Sequence, residues 1–528
     1  MTIWIHRPDE PLLGSGDGPL VGVRVAAKDN VDVAGMPTTA ACPSYSHDPT
    51  EHAPVIARLL EAGAAVVGKT NLDQFATGLV GTRSPYGAVS CPDAPELISG
   101  GSSSGSAAAV AAGEADIGIG TDTAGSGRVP AACCGVVGLK GTVGWVPNRG
   151  VVPACPSFDC TTVFARSIAD GAAAMSAMAG FDAADPSSRR RPDDLTFGDV
   201  VRVGALDESA LDGCTAEVRG GYRAALAAAA AAGFELVTVD LSTYFEAGAL
   251  LYGGAFVAER AASFGAHLAT EPPDADATVT AIIGGAAGLS ATDLARDTAT
   301  LADLRARAAA VWADVDAVLT PTIPEQPTIA EVDDDPIGVN SRLGRFVTGC
   351  NLVDWCAIAV PFPIGDGRPV GVQLLGPAWS DDVIWRAAAR LLGEDAPPRS
   401  APRIELAVLG AHLLGQPLHH QLSDRGASYV TTTTTAPAYR MYALDGTIAK
   451  PGLVRVSEGG GAVEVEVWSL CPAAFGSFVS EIPGPLGVGT LELADGTTVI
   501  GFLCESVAVD GALEITEHGG WRGWLASR

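Results

Sequence analysis

Gly100-Gly101-Ser102-Ser103-Ser104-Gly105-Ser106 and, a little further on, Gly120-Thr121-Asp122-Thr123-Ala124-Gly125-Ser126-Gly127-Arg128 decide how this chain is read. Each is a Gly-rich turn bearing serine. Between them a run of small residues predicts a helix, and Ile117 and Ile119 predict a short buried strand. A helix followed by a strand returns the chain on itself, which brings together Ser102 and Ser126, 24 residues apart. Gly125 and Gly127 let the backbone turn tightly around Ser126 and leave several N–H groups free to converge on one point. Such a nest stabilises an oxyanion.

A hydroxyl is a poor nucleophile at neutral pH, so Ser126 needs a base, and no histidine is placed by motif to serve. Working outward, Val23-Arg24-Val25-Ala26-Ala27-Lys28-Asp29-Asn30 puts a lysine at the end of an apolar strand. Desolvation there lowers the lysine pKa and leaves a usable neutral fraction able to accept a proton.

The surrounding text is globular. Among 528 residues, 47% are hydrophobic and 18% charged, which excludes a disordered chain and leaves room for a large domain and a smaller one. The net charge of −28 is scattered, so it reads as a solvated acidic surface and excludes nucleic acid and anionic membranes as partners. Met1 to Leu20 carries charges and prolines where a signal peptide needs an apolar stretch, and the expected location is cytoplasmic. Eleven cysteines without a C-x-x-C pair read as buried thiols, Cys133, Cys134, Cys155, Cys160, Cys350 and Cys356 among them; no metal and no cofactor is expected.

Residues 1–392 alternate short apolar runs with Ala-rich helical segments, which predicts an α/β domain with helices packed on a mixed sheet. Ile56, Leu59 and Leu60 lie at helical spacing before Gly63 and a strand at 64–67, and Arg223 to Ala232 predicts a helix ending at Gly233. Residues 393–403, GEDAPPRSAPR, break regular structure and predict a linker. Residues 404–528 are richer in strands: Val463, Val465 and Val467 alternate with Glu464, Glu466 and Trp468, and Asp495-Gly496 makes a hairpin turn. The threonines at 431–435 read as a loop or edge strand.

Taken in order, the three motifs around Lys28, Ser102 and Ser126 resemble the amidase signature family over most of residues 20–390. The resemblance implies an α/β/α sandwich around a large mixed sheet. It also implies a triad of serine nucleophile (Ser126), bridging serine with a cis peptide bond (Ser102) and lysine base (Lys28). The oxyanion would be held by the backbone N–H groups of Thr123, Ala124, Gly125 and Ser126, each donor worth on the order of 3 kcal/mol. The reaction the resemblance implies is hydrolysis of a linear amide through an acyl-enzyme.

The texts around Thr121–Pro130, Gly78–Gly87 and Val151–Cys160 resemble the allophanate hydrolase branch. So do Ala407–Leu413, Lys450–Val456 and Gly519–Arg522, which are similar to the C-terminal domain of that branch. The implied substrate, allophanate, is a small planar anion and needs a local cation. The resemblance points to Arg307 as that cation, with Arg83 and Arg128 as further candidates. The family pairs its arginine with a tyrosine eight residues earlier, where this chain has Ala299. In the Gly78–Gly87 loop, Gly81 is the residue expected to face substrate, its neighbours' carbonyls accepting from the scissile NH₂. The family implies that the C-terminal domain promotes decarboxylation of the N-carboxycarbamate formed, with His412, Lys450 and Arg455 as groups able to bind an anion or deliver a proton. It further implies a homodimer and a functional link to a biotin-dependent urea carboxylase. Two other readings stay open: an amidase for another small, biuret-like carbonyl amide, and a non-catalytic amidase-like subunit.

Overall fold

The computed structural model describes residues 2–528 except 193–194, 196, 365–366, 399–403, 426, 445, 447–448 and 471. It divides into two compact units, Met1–Arg399 and Ser400–Arg528. The end of the expected linker, 399–403, lies outside the described residues.

An eleven-stranded sheet organises the first unit. In chain order its strands are β1 (Trp4–His6), β2 (Arg24–Lys28), β3 (Ala65–Thr70), β4 (Ile117–Asp122), β5 (Val137–Lys140), β6 (Cys160–Ala165), β7 (Arg202–Ala205), β8 (Glu235–Thr238), β9 (Ala317–Pro321), β10 (Trp355–Phe362) and β11 (Val370–Pro377). Their spatial order is β1-β3-β2-β4-β6-β5-β10-β11-β9-β7-β8. The sheet is mixed, as expected: β3, β2 and β4 run parallel, as do β9, β7 and β8, while β4-β6-β5-β10-β11-β9 are antiparallel.

Side chains alternate across a pleated strand, and here both faces are covered. Val25 and Ala27 of β2 and Val163 and Ala165 of β6 join one core with Val55, Ile56 and Leu59 of the helix Pro54–Glu61 and Ile168 and Met175 of the helix Ile168–Met178. Ala26 and Phe164, from the same two strands, join another core with Ala107–Val110 and Ala131. The latter belong to α1 (Ser104–Ala111) and α2 (Val129–Cys134), which follow the two serine-bearing turns. α1 is buried around almost its whole circumference, which explains its Ala/Gly/Ser composition. It reaches β4 closely because Gly118 and Gly120 have no side chain: an added Cβ would stand 2.7 Å from the Ser106 carbonyl oxygen and 2.7 Å from Ser103 Oγ. The ten cysteines of the described residues are free thiols, nine of them buried. No single helix among the described residues is long and apolar enough to cross a membrane.

The second unit has a five-stranded sheet in the order Ser428–Thr434, Glu464–Leu470, Ile404–Val408, Thr498–Cys504, Leu486–Glu492, and a separate three-stranded sheet. The threonine run is thus an edge strand. The last two strands pair as a hairpin through a turn at Gly496, φ +83°. Glu464–Leu470 lies inside the sheet, and of its alternating residues Glu466 and Trp468 are buried as well while Glu464 is half-buried. Glu466 accepts from Arg522 Nη2 (2.6 Å), the Leu414 N–H (2.9 Å) and Trp468 Nε1 (3.1 Å).

Candidate active site

Lys28 is the last residue of β2 and is fully buried, a consequence of sitting where the sheet is covered on both faces. Its Nζ lies 2.8 Å from Ser102 Oγ and 2.7 Å from the Thr121 hydroxyl at the end of β4. Desolvation lowers its pKa to about 7, against the upward pull of Asp73, Asp159 and Asp122. An amine in that state gives or takes a proton near neutrality. Thr121, a second hydroxyl on the amine, is absent from the sequence-level reading; nothing but its strand position reveals it.

Ser102 precedes α1, and the Gly101–Ser102 peptide is cis. Ser126 lies in the turn between β4 and α2 and is 2% exposed. Its Oγ donates to the Gly78 carbonyl at 3.4 Å. The turn is tied down by Asp122, whose carboxylate accepts from the N–H groups of Gly125 (2.8 Å) and Gly127 (3.1 Å) and pairs with Arg128 Nε (2.9 Å) and Nη2 (3.0 Å). Burial pushes the Asp122 pKa up, but Arg128 more than offsets this and leaves it below the usual value.

Two of the expected assignments change. The Gly125 N–H is committed to Asp122, so of the four expected oxyanion donors only those of Thr123, Ala124 and Ser126 are without a protein acceptor among the described residues. Gly81 is likewise occupied: its N–H donates to Asp73 (3.0 Å) and its carbonyl accepts from Val89 (2.9 Å), and it is the Gly78 carbonyl that faces Ser126.

The cations are also redistributed. Arg128 is fully engaged by Asp122, Gln373 and the Val347 carbonyl. Arg83 donates to the Thr77 (2.9 Å) and Pro336 (2.6 Å) carbonyls. Arg307 stands on the exposed face of the helix Ala291–Ala308, its side chain 54% exposed, paired with Asp303 at 3.4 Å and Glu246 at 3.9 Å. A contact between a tyrosine and a buried arginine at that spacing lies elsewhere in the chain. Arg260 is 1% exposed, donates to the Thr77 hydroxyl (3.0 Å) and to Tyr252 OH (3.2 Å), and its Nε has no partner. Tyr252 stands eight residues before Arg260, the spacing sought at Ala299 and Arg307. Thr77 carries Arg260 and precedes Gly78, so this guanidinium sits one residue from the carbonyl facing Ser126. Arg260 also counts among the charges acting on Lys28. Asp159 completes the surroundings, accepting from Thr123 Oγ1 (2.5 Å) and from the N–H groups of Ala154 and Cys155.

In the second unit, His412 and Lys450 line one cavity of about 390 Å³, with Gln421, Phe478 and Phe502. His412 stacks on Phe502 at 5.1 Å, and its Nε2 meets Gln421 Oε1 at 2.9 Å. Burial lowers its pKa to about 4, so the ring is neutral at pH 7. Arg455 is not among the cavity's lining; it pairs with Glu492 at 2.7 Å on the surface.

Comparison with known proteins gives the family and the fold. Residues 7–384 match the family model "Amidase", and residues 404–526 match "Allophanate hydrolase C-terminal domain". The chain is 39% identical to the urea amidolyase of Saccharomyces cerevisiae over 96% of its own length, which is 30% of that protein. It is 34% identical to the 2-amino-5-chloromuconic acid deaminase of Comamonas testosteroni, covering 73% of this chain and 83% of that one. The solved structure of Kluyveromyces lactis allophanate hydrolase superposes with a TM-score of 0.68 at 39% identity, covering 96% of this chain and 89% of that one.

Proposed function

Since the chain belongs to the amidase family, we propose that it hydrolyses allophanate at the amide end, with Ser126 as nucleophile, Ser102 as relay and Lys28 as base. The observation that carries this reading is the dry contact of Lys28 with Ser102, beside a turn that holds Ser126 among unpartnered amides. Neutral Lys28 takes a proton from Ser102, which takes one from Ser126 as its Oγ attacks the carbonyl carbon. The developing oxyanion is met by the N–H groups of Thr123, Ala124 and Ser126. On collapse the C–N bond breaks, and the proton held by Lys28 passes through Ser102 to the leaving nitrogen as ammonia. Water, deprotonated along the same line, then cleaves the acyl-enzyme and yields N-carboxycarbamate.

Arg260, with Tyr252 OH beside it, holds the substrate carboxylate; its unpartnered Nε and fork of donors suit a planar anion. The Gly78 carbonyl accepts from the scissile NH₂. The second unit promotes loss of CO₂ from N-carboxycarbamate in the cavity of His412 and Lys450, where a neutral imidazole and an ammonium suit an anion that must take up a proton. A biotin-dependent urea carboxylase supplies the allophanate, and the protein acts in the cytoplasm as a homodimer. The carboxylase link is supported by the urea amidolyases, within which the matched region is 30% of a longer chain.

Purified protein given allophanate releases ammonia, and Ser126→Ala, which removes only the nucleophilic oxygen, reduces this to background without lowering the melting temperature. Undiminished release from Ser126→Ala defeats the assignment.

A further inference from the structure

Asp73 touches both halves of the catalytic line, yet it takes no part in the proton transfers. It is fully buried, and its carboxylate accepts from the N–H groups of Val80 (3.1 Å), Gly81 (3.0 Å) and Arg83 (3.0 Å). Its own N–H donates to the Ser102 carbonyl at 3.1 Å. Backbone presses on the carboxylate from two sides. A Cβ added to Gly78 would come within 2.5 Å of Asp73 Oδ2, and one added to Gly101 would run into the same oxygen. Gly101 leads directly into Ser102, and Gly78 carries the carbonyl that meets Ser126. Donors alone surround the carboxylate, which is the pattern of an ionised acid, and the Arg83 guanidinium is turned to the Thr77 and Pro336 carbonyls.

We propose that Asp73 is a positioning residue for the amide hydrolysis: its carboxylate fixes the 78–83 loop against Gly101, its backbone N–H holds the Ser102 carbonyl, and its negative charge is fixed near the base. The proposal rests on Lys28 being that base. The charged groups acting on Lys28 are Asp73, Asp159 and Asp122, which favour its ammonium form, and Arg260, which opposes it; Asp73 leads them. The neighbouring buried pair Lys69–Asp29, 3.4 Å apart, closes on itself. Burial leaves the Asp73 pKa above the usual carboxylate value, and Arg83 and the three amides limit that rise.

The sign follows directly. The base is the neutral amine, so the wild-type rate falls as pH drops through about 7, where Lys28 takes up its proton. Removing the charge of Asp73 makes the ammonium less favourable, and the fall moves to lower pH by about one unit. The test is the rate of Ser126 labelling by a fluorophosphonate, together with kcat and KM for ammonia release, from about pH 5 to about pH 9. The proteins are wild type, Lys28→Ala, Asp73→Asn and Asp73→Glu. For Asp73→Asn the expected result is the displaced fall, with plateau kcat lower by roughly tenfold or more and KM within about threefold. Asp73→Glu keeps the charge, so its fall stays at the wild-type pH while its plateau drops. An Asp73→Asn profile that coincides with wild type in pH overturns the proposal, as does an undiminished plateau. If Asp73→Asn gives no cooperative melt, Asp73→Glu decides: a fall displaced by that charge-preserving change overturns it. A wild-type profile with no fall, or one unaltered in Lys28→Ala, instead brings down the Lys28 assignment and the proposal with it.

Discussion

Arg260 and Arg307 show what a single side chain's surroundings decide. Arg307 has ordinary surface partners, one of them a turn away on its own helix, and such pairs contribute about 0–1 kcal/mol. Arg260 is buried with an unpartnered Nε, so an anion that reaches it gains a charge-assisted contact in a dry setting. Arg260→Lys exchanges a planar fork for a point charge and is expected to raise KM for allophanate roughly tenfold or more. Arg307→Ala leaves kcat/KM within about twofold. Steady-state ammonia release from both variants checks this, and a larger effect at Arg307 reverses the assignment. The eight-residue spacing came from the family resemblance, and the sequence alone did not show where in this chain a tyrosine and a buried arginine meet at that spacing. Tyr252 lies near the end of one helix, Ser242–Gly253, and Arg260 inside the next, Val257–Leu268; across the break at Gly254 Arg260 meets both Tyr252 OH and the Thr77 hydroxyl. A charged helix at 301–307 offers the same residue type without burial. Lys28 was the opposite case, since an apolar strand ending in lysine already states that the amine is dry.

The turn between β4 and α2 is an element whose every glycine has a separate reason. Gly125 has φ +120°, a region closed to most side chains, and a Cβ there would stand 2.7 Å from Val347 Cβ. A Cβ on Gly127 would stand 2.7 Å from Thr162 Oγ1. Gly125→Ala is therefore expected to lower stability by about 1–3 kcal/mol and to abolish fluorophosphonate labelling of Ser126, because the turn must open to admit the methyl group. Thermal unfolding and labelling measured side by side check it; normal labelling shows that the turn tolerates the methyl group. Glycine on both sides of a serine is readable as a tight turn from the residue types alone. Which amides stay free is not readable, because it depends on Asp122 reaching forward three residues to Gly125 and on Arg128 holding that carboxylate in place.

At the scale of the whole molecule, two units with separate cores carry separate candidate chemistries. His412→Ala removes the imidazole from its cavity without touching the serine line. Ammonia release from allophanate is then expected to stay within about twofold of wild type, while CO₂ evolution lags behind it. Simultaneous ammonia and CO₂ traces check this, and unchanged CO₂ evolution removes the cavity from the reaction. The strand content of the second unit and its hairpin at Asp495-Gly496 were legible from alternation and turn residues. The burial of Glu466 was not, since a period of two marks one face and is silent about a second covering. In the first unit, the Ser106 backbone packed on Gly118 and the Ser103 and Phe164 side chains packed on Gly120 leave no slack between α1 and β4, whereas the Tyr252–Arg260 segment belongs to helices outside the sheet. Anyone wishing to retrain this hydrolase for bulkier amides would begin at the helical segment, where side chains are exchangeable, because where α1 meets Gly118 the contact is peptide and has nothing to trim.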